Sequence, residues 1–207
     1  METKDIDFSK LSPMMKQYFE VKNKYKNHIL FYRLGDFYEM FFDDAIIASR
    51  ELELTLTGRD CGLEERAPMC GVPHHACDVY LKKLIEKGYN VAICEQTMDP
   101  AMCKGIVPRE VIRVVTPGTL IESSMLDETS NNYICAFYMR AKESALCLAD
   151  ISTGEVHLFE FEGKEMTSSA INELSRFSPA EILINDSFLS NKELSSFIRE
   201  KLKTRVQ

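Results

Sequence analysis

The segment GDFYEMFFDD, residues 35–44, places aromatic rings and a carboxylate directly after a Gly-Asp turn signal. In an extended strand alternate side chains share a face, so Phe37, Glu39 and Phe41 would lie together. In a helix Phe37 and Glu39 would lie roughly 200° apart, although Asp36 followed by Glu39 resembles a capping box. The aromatic content favours the strand, which presents a ring and a carboxylate side by side next to a turn.

An exposed ring beside a hydrogen-bonding side chain suits insertion between stacked bases from the minor groove, which costs a few kcal/mol. The cost is lower where a base pair is mismatched or a base is unpaired. Phosphates repel a carboxylate, and protonation or a base N–H partner removes that penalty. We therefore predict that Phe37 is a wedge and that Glu39 discriminates defective from intact duplex. Packing of the ring in the core is the alternative.

The elements that position this segment form a mixed α/β domain, predicted over residues 1–118. Three helices are predicted. Ser12-Pro13 followed by apolar residues at helical spacing marks the start of the first, Asp43 can cap the start of the second, and Gly88 marks the end of the third. The predicted helices are 13–26, 44–52 and 75–87, and the predicted strands, besides residues 36–42, are 28–34, 54–57, 89–96 and 109–118.

Polar residues 119–131 after Pro117-Gly118 predict a linker, followed by a second domain over residues 132–207. Three strands (132–139, 144–152, 154–161), a helix (165–177), a strand (181–185) and a helix from 191 follow in that order. This is the order of a ribonuclease H-like sheet, and the sequence ends before such a fold is complete. The fold class is therefore α/β, with a mixed-sheet first domain and a truncated ribonuclease H-like second domain.

Three further groups of residues are candidate sites. Cys61, Cys70, His74, His75 and Cys77 are the densest group of soft ligands, but without a Cys-x-x-Cys pair they favour reduced thiols over zinc.

In the second half, Asp150 and Glu155 would suit a metal-dependent nuclease, with a turn-stabilising role for Asp150 as the alternative. Arg109 and Arg113, together with Lys104, would track phosphates if they share a strand face, or protect a solvated edge strand. A protein-binding role remains open for residues 130–207.

Composition limits the function classes. The chain has 207 residues and a net charge of −7, of which residues 1–118 contribute −2 and the remainder −5. The near-neutral charge of the first domain is compatible with DNA as a ligand, and the acidic second half suits a partner other than DNA. The sequence has no apolar run of membrane-spanning length and a charged start, so we predict a cytoplasmic protein without disulfides.

Several segments resemble the bacterial DNA mismatch-repair MutS family in order along the chain. FYRLGDFYEMFFDDA, PMCGVPHHA, VAICEQ, DPA and REVIRVVTPGT resemble its amino-terminal mismatch-recognition domain, and LADISTGE and ELSRFSPAEIL its connector domain. The resemblance implies that Phe37 stacks on the mispaired base and that Glu39 hydrogen-bonds to it. It also implies that Arg59, Met69 and Arg109 lie near the DNA backbone or minor groove.

The resemblance further implies partners and cofactors for the longer proteins of the family. The expected partners are duplex DNA with mismatches or small insertion or deletion loops, a MutL-type protein and a second copy in a homodimer. The family uses ATP and Mg²⁺ in a P-loop ATPase domain, but no Gly-x-x-x-x-Gly-Lys-Ser/Thr pattern occurs here. We therefore predict no catalytic residue, cofactor or metal in this chain, and a place in the bacterial cytosol near the nucleoid.

Overall fold

The computed structural model describes residues 7–202 and 204–207 and divides into two compact units. The first unit extends to Val115 and the second begins at Thr116. The division lies three residues before the predicted boundary because Thr116 and Gly118 both donate hydrogen bonds to the buried carboxylate of Glu181. Residues 119–131, predicted as a linker, therefore belong to the second unit.

The first unit contains a six-stranded mixed sheet in the order β3-β4-β2-β1-β5-β6. Among the described strands of this sheet only β1 and β5 pair in parallel, and the other neighbours are antiparallel. The strands are β1 (Ile29–Leu34), β2 (Phe37–Phe41), β3 (Thr57–Arg59), β4 (Ala67–Pro73), β5 (Val91–Gln96) and β6 (Arg109–Val115). The predicted strand at 54–57 begins only at Thr57, and β4 was not predicted because Pro68, Gly71 and Pro73 are typical of loops.

Three helices complete the first unit: α1 (Pro13–Lys22), α2 (Phe42–Leu52) and α3 (Cys77–Glu86). α1 ends four residues earlier than predicted because the Tyr25 amide bonds to a carbonyl three residues back, which tightens the chain into turns. α2 begins at Phe42, so Asp43 lies in its first turn and is not the cap. Gly88 follows α3 with φ +86°, as predicted for its C′ residue.

Both faces of the first sheet are packed. On one face Leu30, Tyr32 and Phe41 lie in a cluster with Tyr18 and Phe19 of α1. On the opposite face α2 lies against β4, since the Cys70 thiol donates to the carbonyl of Ala45. The sheet is thus held between α1 on one side and α2 on the other.

The second unit contains a five-stranded sheet in the order β11-β10-β7-β8-β9. β7, β8 and β9 are antiparallel neighbours, and β10 and then β11 add in parallel beside β7. The elements are β7 (Tyr133–Arg140), β8 (Glu143–Asp150), β9 (Glu155–Glu162), α4 (Met166–Phe177), β10 (Glu181–Ile184), α5 (Lys192–Phe197), a π-helical turn (Ile198–Leu202) and β11 (Arg205–Val206). The predicted α/β class and ribonuclease H-like strand order are confirmed, and β11 is a strand that was not predicted.

Candidate nucleic-acid interface

The β1–β2 hairpin places Phe37 at the surface. Leu34 pairs with Phe37, so only Gly35 and Asp36 form the turn, and Gly35 has φ +58°, in the left-handed region that favours glycine. The strand prediction is confirmed and the helical alternative is excluded for this segment. Phe37 is 47% exposed, whereas the next residue, Tyr38, is buried. The first residue after the turn therefore presents an aromatic ring to solvent.

Glu39 lies on the same face of β2 as Phe37 and forms an ion pair. Its Oε2 atom accepts a hydrogen bond from Nη1 of Arg59 at 2.5 Å. The side chain of Glu39 is 15% exposed and that of Arg59 37%, so both are only partly in contact with solvent. Glu39 is paired with Gly71 on β4, where a Cβ atom would lie 3.4 Å from Cγ of Glu39. The missing side chain at Gly71 leaves room for the carboxylate.

The strand register brings most of the predicted site residues to one sheet face. Paired residues on neighbouring strands point to the same side. Phe41 pairs with Met69, and Arg59 pairs with Ala67, two residues before Met69 on β4. Phe37, Glu39, Arg59 and Met69 therefore occupy one face at the β3-β4-β2 edge of the sheet.

Side chains that were not predicted as site residues brace the hairpin. The Asp36 carbonyl accepts from the backbone amide of His74 at 2.9 Å and lies 3.0 Å from its Nδ1 atom. Nε of Arg33 donates to the Gly35 carbonyl at 2.5 Å, and Nη1 is 3.3 Å from a carboxylate oxygen of Glu95. The Tyr38 hydroxyl donates to the same oxygen. Burial first, and then this bond, raises the pKa of Tyr38. The only sequence signal for this network was that Arg33 flanks the turn.

The comparison with known proteins decides the family. Residues 12–124 match the family model of MutS domain I, and residues 132–207 match that of MutS domain II. The chain belongs to the MutS family. It is 52% identical over 196 residues to the DNA mismatch repair protein MutS of Ruminiclostridium cellulolyticum, covering 95% of this chain and 22% of the relative. It is 56% identical over 180 residues to the protein of the same name from Clostridium perfringens, covering 86% of this chain and 20% of the relative. The chain thus spans about a fifth of these MutS proteins.

Arg109, which the MutS resemblance implies to lie near DNA, is bonded within the first unit. It is buried, and its guanidinium donates to the Arg33 carbonyl at 2.7 Å and to Oε1 of Gln17 at 3.0 Å. The guanidinium carbon also lies 5.1 Å from the centre of the Tyr32 ring. These contacts hold the side chain of Arg109 inside the unit.

Arg113 does not share a face with Arg109, contrary to the prediction. Cys94 on β5 pairs with Val111, but the preceding residue Ile93 pairs with Arg113, so β6 contains one extra residue between them. A bulge of this kind reverses the alternation of side chains beyond it. The two arginines therefore point to opposite sides of the sheet, and they form no continuous phosphate track.

The carboxylate pair considered for a nuclease has structural partners in the MutS domain II region. Oδ1 of Asp150 accepts from the amide and the hydroxyl of Ser152, and Oδ2 accepts from the Asn132 amide. Burial acts to raise the pKa of Asp150, but these hydrogen bonds outweigh burial and lower it. Glu155 accepts from the Tyr133 hydroxyl at 3.1 Å and lies 2.7 Å from Nε2 of His157. Asp150 therefore stabilises the turn, as the structural alternative predicted.

The cysteines and histidines of the candidate zinc cluster do not form a metal site among the described residues. The Cys61 thiol donates to the Glu65 carbonyl and the Cys70 thiol to that of Ala45. All seven cysteines lie in the described ranges, and no disulfide joins them. Over residues 7–202 and 204–207, no group of three or more His, Cys, Asp or Glu side chains is arranged to hold a metal ion. The same residues contain no helix that is long and apolar enough to cross a membrane.

Proposed function

We propose that this chain recognises mispaired or unpaired bases in duplex DNA. Phe37 inserts from the minor groove and stacks on the affected base, and Glu39 accepts a hydrogen bond from it. The observation that carries the proposal is the 47% exposure of Phe37 at the first position after a braced two-residue turn, on the same face as Glu39. Membership of a family whose relatives are named DNA mismatch repair proteins supports it.

The physical basis of selectivity is the cost of deforming the duplex. A wedge has to unstack a base step, which costs a few kcal/mol at intact DNA. At a mismatch or an unpaired base part of that stacking and pairing is already lost, so insertion costs less. Glu39 adds discrimination because its carboxylate needs a base N–H donor when it is brought close to phosphates. Arg59 and Met69, on the same face, would then lie at the minor groove.

The remaining parts of the proposal concern the longer protein. In this proposal duplex DNA with mismatches or small insertion or deletion loops is the ligand of the first unit. The second unit serves as a connector that contacts a MutL-type partner, and the complete protein works as a homodimer in the bacterial cytosol, near the nucleoid. ATP hydrolysis with Mg²⁺ would take place outside the two matched domains, so the chain described here acts by binding.

Equilibrium binding to two matched duplexes tests the proposed function. Fluorescence anisotropy would compare a fully paired duplex with the same duplex containing one unpaired T or one G·T mismatch. We expect tighter binding to the defective duplexes and loss of that preference in Phe37→Ala. Ile112→Ala is the matched control, because Ile112 is an exposed apolar residue on β6 of the same unit. Equal affinity of the wild-type chain for all duplexes, or a preference that survives Phe37→Ala, would overturn the proposal.

A further inference from the structure

The carboxylate of Glu39 is held through only one of its two oxygen atoms. In the part of the chain that the structure describes, Arg59 is the residue that donates to it, from Nη1 to Oε2 at 2.5 Å. No donor of the described residues is bonded to Oε1. One oxygen of the proposed discriminating group is therefore engaged by the protein, and the other is available to a ligand.

The ion pair spans three strands of the sheet. Arg59 is on the edge strand β3 and pairs with Ala67, whereas Glu39 is on β2 and pairs with Gly71, so the guanidinium reaches Glu39 across β4. Gly71, on the intervening strand β4, lies directly beside Glu39, because a Cβ atom there would lie 3.2 Å from the Tyr38 carbonyl oxygen and 3.4 Å from Cγ of Glu39. Partial burial also weakens the screening of this pair by salt.

We propose that Arg59 is a positioning residue that acts through Glu39 and thereby determines how well the chain distinguishes defective from intact duplex. This inference rests on the proposed function. By binding Oε2, Arg59 restricts the rotamers of Glu39 beside Phe37 and leaves Oε1 to accept a base N–H. A side chain that a supporting contact already holds in one rotamer loses less conformational entropy when it binds a ligand, so Glu39 binds the base N–H with a more favourable free energy.

A simple phosphate contact by Arg59 would behave differently. Such a contact strengthens binding to every duplex by the same factor and contributes about 0.9 to the slope of log K against log salt. A positioning residue instead changes the ratio of the two dissociation constants. It does so only while Glu39 is present, because its effect passes through that carboxylate.

The experiment is a double-mutant cycle with Arg59→Ala and Glu39→Ala, measured on the paired duplex and on the duplex with an unpaired T. We expect Arg59→Ala to lower the preference for the defective duplex by about tenfold, the size of one weakened hydrogen bond to a charged group. In the Glu39→Ala background, Arg59→Ala should leave the remaining preference unchanged. Arg59→Lys should keep the salt dependence and restore only part of the preference, because lysine lacks the planar fork.

Two further variants serve as matched comparisons. Arg66→Ala removes an arginine from the β3–β4 loop, where its side chain lies against Gly58 and not against Glu39. It should leave the preference for the defective duplex unchanged. Gly71→Ala adds a methyl group next to Glu39 without changing any charge, and it should lower the preference as Arg59→Ala does.

The two proposals fail in different ways. If the wild-type chain prefers the defective duplex and loses that preference with Phe37→Ala, but Arg59→Ala weakens both duplexes equally, the inference is overturned and the proposed function stands. An NMR measurement without DNA tests the inference independently of binding. Rotation of the Arg59 guanidinium should be slow in the wild-type chain and fast in Glu39→Ala. Equal rotation in both would overturn the role of Arg59 whatever the duplexes show.

Discussion

Replacing Lys22 by methionine is expected to destabilise the first unit by about 3–5 kcal/mol near neutral pH. Its partner Asp44 is buried in the first turn of α2, directly after the strand that carries the wedge. Oδ1 of Asp44 accepts from Lys22 at 2.8 Å, and Oδ2 accepts from the Leu30 amide of β1 at 3.0 Å. Methionine keeps the apolar stem of lysine, so the substitution leaves a buried carboxylate without its cation and also removes the donor to the His28 carbonyl.

The loss should depend on pH. Burial raises the pKa of Asp44, and this effect outweighs the lowering by Lys22. A carboxyl group whose pKa is higher in the folded than in the unfolded state stabilises the fold at low pH, and this contribution is lost as pH rises through the folded pKa. Without Lys22 the folded pKa of Asp44 rises further. Lys22→Met should therefore lose less stability at about pH 5 than at about pH 8.

Native-state hydrogen exchange of the β1 amides would measure the free energy of unfolding of the first unit. Lys26→Met is the matched control, because Lys26 is exposed just beyond α1 and should change stability by less than about 0.5 kcal/mol. Lys22→Met combined with Asp44→Asn should be less destabilised than Lys22→Met alone, since no buried charge remains. A loss below about 1 kcal/mol, or one independent of pH, would refute the reasoning.

Two further predictions concern turns. Gly35→Ala should cost about 1 kcal/mol, because φ is +58° and a Cβ atom would meet nothing within 4 Å, so only backbone strain is added. Hydrogen exchange of β2 measures this cost, and an unchanged stability would contradict it. Asp150→Asn should cost about 1–3 kcal/mol near neutral pH and much less in acid. The pKa of Asp150 is lowered on folding, so its stabilisation is present above the unfolded pKa and lost as pH falls. Urea unfolding of the second unit at both pH values tests it, and an equal loss in acid would contradict it.

The local part of the site could be predicted from sequence. Gly35-Asp36 indicated the turn, and alternation placed Phe37 and Glu39 on one face, because both signals depend only on neighbouring residues. The strand order of the second unit also followed from the succession of elements. By contrast, β4 was not predicted, because Pro68 and Gly71 are typical of loops. In the structure Gly71 provides the room that Glu39 occupies.

The non-local part could not be predicted. The bond between Arg59 and Glu39 depends on β4 lying between β3 and β2, which no short pattern encodes. The extra residue in β6 reversed the face of Arg113 relative to Arg109, and the alternation rule has no signal for such a bulge. Arg109 was predicted near DNA from the MutS resemblance and from its spacing with Arg113 in a strand, while its burial depends on α1 and β1 packing around it.

The most direct test of the central claim is the fluorescence of 2-aminopurine placed beside an unpaired T in a duplex bound to the chain. Insertion of Phe37 unstacks the neighbouring base, so we predict a rise in fluorescence with the wild-type chain and with Ile112→Ala, and none with saturating Phe37→Ala. An equal rise with saturating Phe37→Ala, or no rise when the wild-type chain is fully bound, would contradict wedge insertion by Phe37.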